Sequence, residues 1–597
     1  MILRLFAAAL GVLVFAIPAS SICWDIPPDP PPPPPPPKRP ADVPDNPGPP
    51  KTPTPDLPDL PTTPRDSVQR PKNPRTATGG IGRGVATSGP KGPPVGESGW
   101  SRWWFFNRSP FLRPVEGSVA ITPTPEGAAK LGPAGWRLRA IEVLRVVLED
   151  DRTDSSSGAA VALGKARARA ALPRLVRILG DRREKRERRE AAALALGLLG
   201  GEEALQALRA QFSNRRESWQ CRAFAGIGLG LTGEKEALPS LLATARDGHR
   251  ELQAAALMGV GLLGDPIAEA TLLEMAHDRR GRLDPLVRAA AVHALARIRS
   301  REAMPALLSI LKTAKRSEIR RAAVQALGRV VGRTDWSALS ILVAVAEKDR
   351  DAISRRYATI ALGRTASTGV VKALTGILEG ARMEQRGFAA IALALTARNT
   401  ADSSLRKSIA DNLLVRLDKG RMAPDTRAAV ALALGIIGDV RATDAIKPLL
   451  RDGWAGSRGH AAVALGLIGD RDVLPELRKA MVKEGSPWVQ REIAIALGLF
   501  RDEPSIAALG VRVRKGKSEL ERANAALALG RIATPKATSI MVELLSRGDL
   551  SGPTRSKVAT ALGEALDTKP IPSLYPLTED FDYDLSLATF HRLLHRL

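Results

Sequence analysis

This sequence of 597 residues predicts an all-α chain, wound as a right-handed α-α superhelix, with a disordered proline-rich region ahead of it. Three observations carry that prediction. A short phrase, Ala-Leu-Gly or a variant of it, recurs with its last position at Gly164, Gly197, Gly230, Gly261, Ala296, Gly328, Gly363, Thr396, Gly435, Gly466, Gly498, Gly530 and Gly563. Thirteen copies spaced 31 to 39 residues apart are the mark of a solenoid, not of several independent domains. No segment alternates polar and apolar residues as a strand would. Finally, 25 of the 46 prolines crowd between Pro27 and Pro94, where neither helix nor sheet can form.

Taken in order, the chain opens with Arg4, an apolar run from Leu5 to Ile17, then Pro18 and the small residues Ala19, Ser20 and Ser21. This is the pattern of a signal peptide, read here as residues 1–21, and thirteen apolar residues are too few to span a bilayer. An uncleaved anchor extending to Trp24 is the alternative. Ile22 before Cys23 is not the small residue that lipidation expects. Residues 22–99 read as a spacer, with eight consecutive prolines at Pro30–Pro37 favouring extended polyproline II and a glycine-rich end. Residues 100–135 hold a dense aromatic segment: Trp100, Trp103, Trp104, Phe105, Phe106 and Phe111 are six of the chain's 23 aromatics. Such a cluster is either a plug packed on the next domain or an exposed binding patch. Plugging is favoured, as an N-terminal cap on the first helix pair.

Residues 136–566 are the solenoid, about thirteen helix pairs. The second helix of a pair reads as Arg427-Ala-Ala-Val-Ala-Leu-Ala-Leu-Gly435, rich in small residues that let neighbouring helices approach closely. Three residues on, Gly200, Gly233, Gly264, Gly438 and Gly469 suit a left-handed helix stop. Nine residues past the phrase stand Pro173, Pro239, Pro305 and Pro475, each placed for a first helical turn. Stacked about 10 Å apart, the pairs would make a curved rod on the order of 130 Å long. Such a rod exposes an apolar face at each end. Residues 567–597, which depart from the repeat, are expected to cap the last pair.

These residues resemble HEAT repeats, specifically the short bacterial HEAT-like repeats associated with phycobilisome lyases, through Arg-x-x-Ala-x-x-Ala-Leu-Gly, Gly-Asp and Leu-Pro-x-Leu. The resemblance implies a HEAT/armadillo-like solenoid and covers about seven-tenths of the chain. It does not specify function, since such repeats serve lyases, scaffolds and adaptors alike. The aromatic segment followed by these repeats is also similar to exported HEAT-repeat proteins of planctomycete- and myxobacteria-type bacteria.

Charge and chemistry narrow the function further. Lys and Arg outnumber Asp and Glu by 88 to 63, a net +25, which favours protein partners with acidic surfaces or a polyanion. Eight residues before the repeat mark stand Arg189, Arg222, Arg288, Arg320, Arg355, Arg427, Arg458, Arg522 and Arg555. A ladder of this kind either forms a basic track or, as favoured here, caps carbonyls and pairs with acids of the adjacent repeat. None of the six histidines is followed by Glu, so the His-Glu pairs of a HEAT-type di-iron hydroxylase are missing. His591 and His595 lie four apart without an intervening acid. No cofactor, metal or catalytic residue is assigned. The expectation is a monomeric, non-catalytic exported scaffold, in the periplasm, cell envelope or medium, that binds protein partners. A bilin-lyase-like enzyme and a solenoid that binds nucleic acid or anionic glycan are the alternatives.

Overall fold

The structure is a computed structural model that describes residues 99–112, 133–278, 280–380, 382–418, 422–569, 573–579 and 593. The chain divides into two compact units, Met1–Gly82 and Arg83–Leu597, and every described residue belongs to the second. The expected signal peptide, nearly all of the spacer, and His591 and His595 lie outside the described residues.

Helix α1 (Gly99–Asn107) stands apart from the pairs that follow. These begin with α2 (Pro133–Leu148) and α3 (Thr153–Lys165), α4 (Leu172–Gly180) and α5 (Arg186–Leu199), α6 (Glu202–Ser213) and α7 (Trp219–Thr232), and α8 (Leu238–Asp247) and α9 (Arg250–Leu263). Next come α10 (Glu269–His277) and α11 (Pro285–Ile298), α12 (Met304–Thr313) and α13 (Ser317–Val330), α14 (Trp336–Lys348) and α15 (Ala352–Arg364), and α16 (Val371–Gly380) and α17 (Met383–Asn399). The series ends with α18 (Ser403–Asp418) and α19 (Pro424–Ile437), α20 (Thr443–Ile446) and α21 (Ala455–Ile468), α22 (Leu474–Lys483) and α23 (Pro487–Leu499), α24 (Ile506–Lys515) and α25 (Glu519–Ile532), and α26 (Pro535–Ser546) and α27 (Gly552–Leu566). A single further turn is α28 (Tyr575–Thr578). Pro173, Pro239, Pro305 and Pro475 all fall in the first turn of α4, α8, α12 and α22, where the missing amide costs no hydrogen bond. The five predicted stop glycines all take positive φ. Where the repeat lacks that glycine, Arg167, Arg299, Ala366, Arg501 and Ala533 adopt positive φ in its place.

Packing follows from the small residues. Each odd-numbered helix from α3 to α27 packs on the odd-numbered helix before and after it, with an even-numbered partner against its outer side. Where the repeat phrase ends in glycine, that glycine sits at the contact: a Cβ on Gly197 would lie 2.6 Å from the Gly228 carbonyl oxygen, and one on Gly530 equally close to that of Ala561. Only a residue without a side chain permits that approach.

The expected rod is corrected here: the series closes on itself. Helix α27 packs against α3 as closely as any inner helix packs on its neighbour, and α2 packs against α26. A Cβ on Gly563 would lie 2.5 Å from the Ala162 Cα, the same relation that Gly164 has to Ala195 one repeat on. Hydrogen bonds cross the seam from Arg152 Nη1 to the Leu550 carbonyl at 2.9 Å and from Arg137 Nη1 to the Leu566 carbonyl at 2.9 Å. An ion pair joins Lys165 to Glu564 at 3.7 Å. Thirteen inner helices about 10 Å apart make a ring roughly 40 Å across between opposite axes.

Closure joins the two ends that the expected caps were to cover; of the expected C-terminal cap, residues 570–572, 580–592 and 594–597 lie outside the described residues. The first pair is covered by the last, not by the tryptophan segment. In the tail, the Asp567 carboxylate accepts from the Ser573 amide and hydroxyl, and Glu579 meets Arg329 at 3.0 Å and Arg297 at 3.2 Å, at the ends of α13 and α11. The described tail therefore reaches α11 and α13. Among the described residues no helix is long and apolar enough to cross a membrane.

Candidate docking site on the inner face

The nine ladder arginines determine whether the ring carries a basic track. Arg189 donates to the Leu179 carbonyl at 2.9 Å and to Glu217 at 2.6 Å, and its side chain is 5% exposed. Burial alone would raise the Glu217 carboxyl, but the Arg189 guanidinium and the Ser218 amide hold it at about 2. Arg222, Arg288, Arg355, Arg522 and Arg555 likewise donate to carbonyls at or just past the end of the outer helix of their own pair, and Arg458 donates to the Asp452 carbonyl in the segment between α20 and α21. Arg320 pairs with Asp349, Arg427 with Asp452, and Arg458 with Glu484, each acid lying in the next repeat. Arg555 continues the pattern across the seam, meeting Asp150 at 3.1 Å. All nine guanidiniums are engaged by the ring's own backbone and carboxylates.

A different set of residues forms a site. Helix α1 is only nine residues long, too short to be stable alone, and it rests on α17 and meets side chains of α15, α19, α21 and α23. Trp100, Trp103 and Trp104 are 0%, 3% and 1% exposed, and Phe106 is also buried. Residues four apart share a helix face, so Trp100, Trp104 and Arg108 point together toward the ring. The Trp100 Nε1 donates to Asp425 Oδ1 at 2.8 Å. Room for that indole exists because Gly387 has no side chain: a Cβ there would collide with the ring of Trp100. Ser101 Oγ and His460 Nε2 are hydrogen-bonded at 2.9 Å. The His460 ring is flanked by Trp100, with centroids 4.6 Å apart, and by Trp488 at 5.2 Å. Trp488 in turn occupies the space above Gly459.

Beyond the helix end, Arg108 Nη1 meets Glu492 Oε2 at 2.6 Å, with side chains 9% and 0% exposed. Arg491 bonds the other carboxylate oxygen at 2.9 Å. Burial would raise the Glu492 carboxyl, yet the two guanidiniums hold it at about 2. Desolvation drives the His460 imidazole down to about 4; Glu492 opposes this, and Arg108 and Arg491 reinforce it. Guanidiniums also stack on the segment's aromatic rings: Arg364 over Trp103, Arg398 over Phe111, and Arg491 and Arg108 over Phe105. The predicted aromatic residues are thus brought together as a plug, seated on repeats far from the first pair.

Ser101, His460 and Glu492 are the residue types of a hydrolytic triad, but the bonds are those of docking. His460 Nδ1 has no hydrogen-bond partner, so no carboxylate orients the ring as general-base catalysis requires. The Glu492 oxygens are engaged by Arg108 and Arg491 instead. Among the described residues no group of three or more His, Cys, Asp or Glu side chains is placed to hold a metal ion.

Sequence reasoning named the tryptophans and missed their receptors. One signal was present: six residues before the repeat mark, His460, Glu492, Asn524 and Lys557 stand in four consecutive repeats. The other nine repeats carry Gly, Ala, Phe or Tyr there, so a polar stripe marks the inner face from α21 to α27. His460 and Glu492 hold the plug, and Asn524 donates to the Pro487 carbonyl at 2.6 Å. Burial lowers the Lys557 amine.

The repeats match the HEAT repeats family at residues 141–217, 280–356 and 454–522, and the PBS lyase HEAT-like repeat at 426–452. This is a HEAT-repeat protein. No curated protein matches the chain. Among solved structures, the HEAT ring is similar to the CpcE–CpcF complex of phycocyanin lyase from Nostoc sp. PCC7120, at 20% identity over 40% of this chain and 92% of that one, with a TM-score of 0.30. It is also similar to Kap121p bound to Nup53p, at 13% identity over 68% of this chain and a TM-score of 0.34. The HEAT chain spans half the length of that Kap121p chain. Human deoxyhypusine hydroxylase matches at 18% identity over 51% of this chain and 98% of that one, with a TM-score of 0.21. These likenesses concern the fold alone.

Proposed function

We propose that this HEAT-repeat protein is an exported, non-catalytic scaffold that binds protein partners on the inner face of its ring. One observation carries the reading: three consecutive inner helices, α19, α21 and α23, already grip a protein helix through directed side-chain bonds. The bonds from Asp425, His460 and Glu492 to Trp100, Ser101 and Arg108 are those of a protein–protein interface, with buried indoles at the centre and charged pairs around them. Export rests on residues 1–21, with the proline-rich stretch acting as a tether between anchor or partner and ring.

The net charge of +25 draws acidic partners from a distance. At the site itself the docking groups on α19 and α23 are carboxylates, which select a cationic element. The ladder arginines, bonded to the ring's own carbonyls and carboxylates, give no support to a polyanion track.

The full chain, immobilised, should capture the same partner set from envelope extracts as the native protein, and Asp425→Lys with Glu492→Lys should reduce that capture. Purified protein that carries a bound chromophore and turns it over would replace this reading with the enzymatic one. For export, the first residue of protein recovered from the envelope should lie just after residue 21. A mature chain that still begins at Met1 inside the cytoplasm would remove that part of the proposal.

A further inference from the structure

We infer that helix α1 is a built-in occupant of a helix-binding site, and that the ring's partner presents a short amphipathic helix of the same chemistry and displaces it. The inference rests on the scaffold reading above and specifies its site. The partner helix would carry an indole, a second aromatic four residues on, and a guanidinium eight residues on, matching Trp100, Trp104 and Arg108.

Three features separate a binding site from a permanently folded part of the ring. First, helix α1 is not one of the thirteen pairs. The inner helices close their circle without it, and the Arg555–Asp150 pair and the Gly563–Ala162 contact complete the seam with no help from residues 99–112. Second, the receptor side is specialised where it meets the helix. Gly387 opens the indole pocket, and Asp425 stands at its rim. His460 and Glu492 replace the Gly, Ala, Phe or Tyr that nine other repeats place at the same position. Third, the polar partners are buried, so leaving the site empty removes Arg108 from the buried Glu492 carboxylate and leaves it with Arg491 alone. A site of this kind needs an occupant, and an occupant on the same chain is the simplest guard until the partner arrives. Twenty residues, 113–132, join the plug to α2. A tether of that length gives the bound segment an effective concentration on the order of millimolar, which a free competitor must exceed.

The probe is a fluorescein-labelled synthetic peptide of residues 99–112. The intact full chain should bind it about 100-fold more weakly than a full chain emptied by Trp100→Ala, Trp104→Ala and Arg108→Glu. In the emptied chain, adding Glu492→Arg should abolish binding of the native peptide and restore binding of a peptide carrying Arg108→Glu. Charge-reversal rescue is a readout that a merely structural role for α1 would not produce. If the emptied chain fails to fold, a protease site substituted at residues 118–124 of the otherwise native chain allows cleavage after folding. Exchange of the released segment for labelled peptide then supports the inference.

Two results overturn it. One is an emptied chain that keeps its closed ring and binds no peptide. The other is a cleaved chain that exchanges none under a large excess. Neither touches the scaffold reading, which stands or falls on partner capture by the intact ring.

Discussion

Arg189 and Arg427 occupy the same repeat position yet carry different loads. Arg189 is buried and bonded to both the Leu179 carbonyl and Glu217, so Arg189→Ala strands a carboxylate and should cost about 2–4 kcal/mol in thermal or denaturant unfolding. The Arg427 side chain is 24% exposed and its guanidinium bonds Asp452 alone, so Arg427→Ala should cost under about 1 kcal/mol. Equal losses at the two positions would contradict this account. His460 sets a pH dependence. Its folded value near 4 lies below its ordinary 6.5, so the neutral ring stabilises the protein fully above pH 6.5 and progressively less as pH falls toward 4. Over that window about 3 kcal/mol is lost, at ~1.4 kcal/mol per pH unit. Chemical unfolding at pH 7 and pH 4.5 should show the loss, and His460→Gln should remove it. A slope unchanged in His460→Gln would place the titrating group elsewhere; Glu492, held near 2, contributes chiefly below pH 4.5.

At the scale of the element, the tryptophan helix owes its place to residues that are absent as much as to those present. Gly387→Val would push a side chain into the Trp100 indole and expel it. The expected outcome is red-shifted tryptophan emission and faster proteolysis between residues 99 and 132, with the ring still helical by circular dichroism. Unshifted emission would mean that Trp100 is held by something other than this pocket. The helix itself was legible in the sequence, because six aromatics in thirteen residues demand burial. Its address was not. Trp100 meets Asp425 across 325 residues, and no local periodicity encodes a contact at that separation. The polar stripe at His460, Glu492, Asn524 and Lys557 was the available pointer, visible only once the repeats are stacked in register.

At the scale of the whole repeat series, closure is the property that sets the shape of the ring. The seam is chemically the same as any other junction: Gly563 meets Ala162 as Gly164 meets Ala195, and Arg555 reaches Asp150 as Arg320 reaches Asp349. Gly563→Leu should split it. Small-angle scattering of residues 99–597 should give the dimensions of a ring, and the variant should give a longer maximum dimension with an exposed apolar edge and concentration-dependent association. A profile of the unsubstituted residues 99–597 extending to about 130 Å would restore the rod.

The sequence by itself determined the repeat, the two-helix unit, the proline-led outer helices, the glycine stops and the inward fate of the arginines. Each of these is settled within one repeat or between adjacent repeats, by φ preference, backbone approach and pairing at a separation of about 30 residues. Closure and the seat of the plug were decided only by the tertiary structure. A small rotation from each repeat to the next, summed over thirteen, determines whether the first helix meets the last. No single residue reports that sum, and the partners it brings to Trp100 and Arg108 acquire their meaning only when the ring is complete.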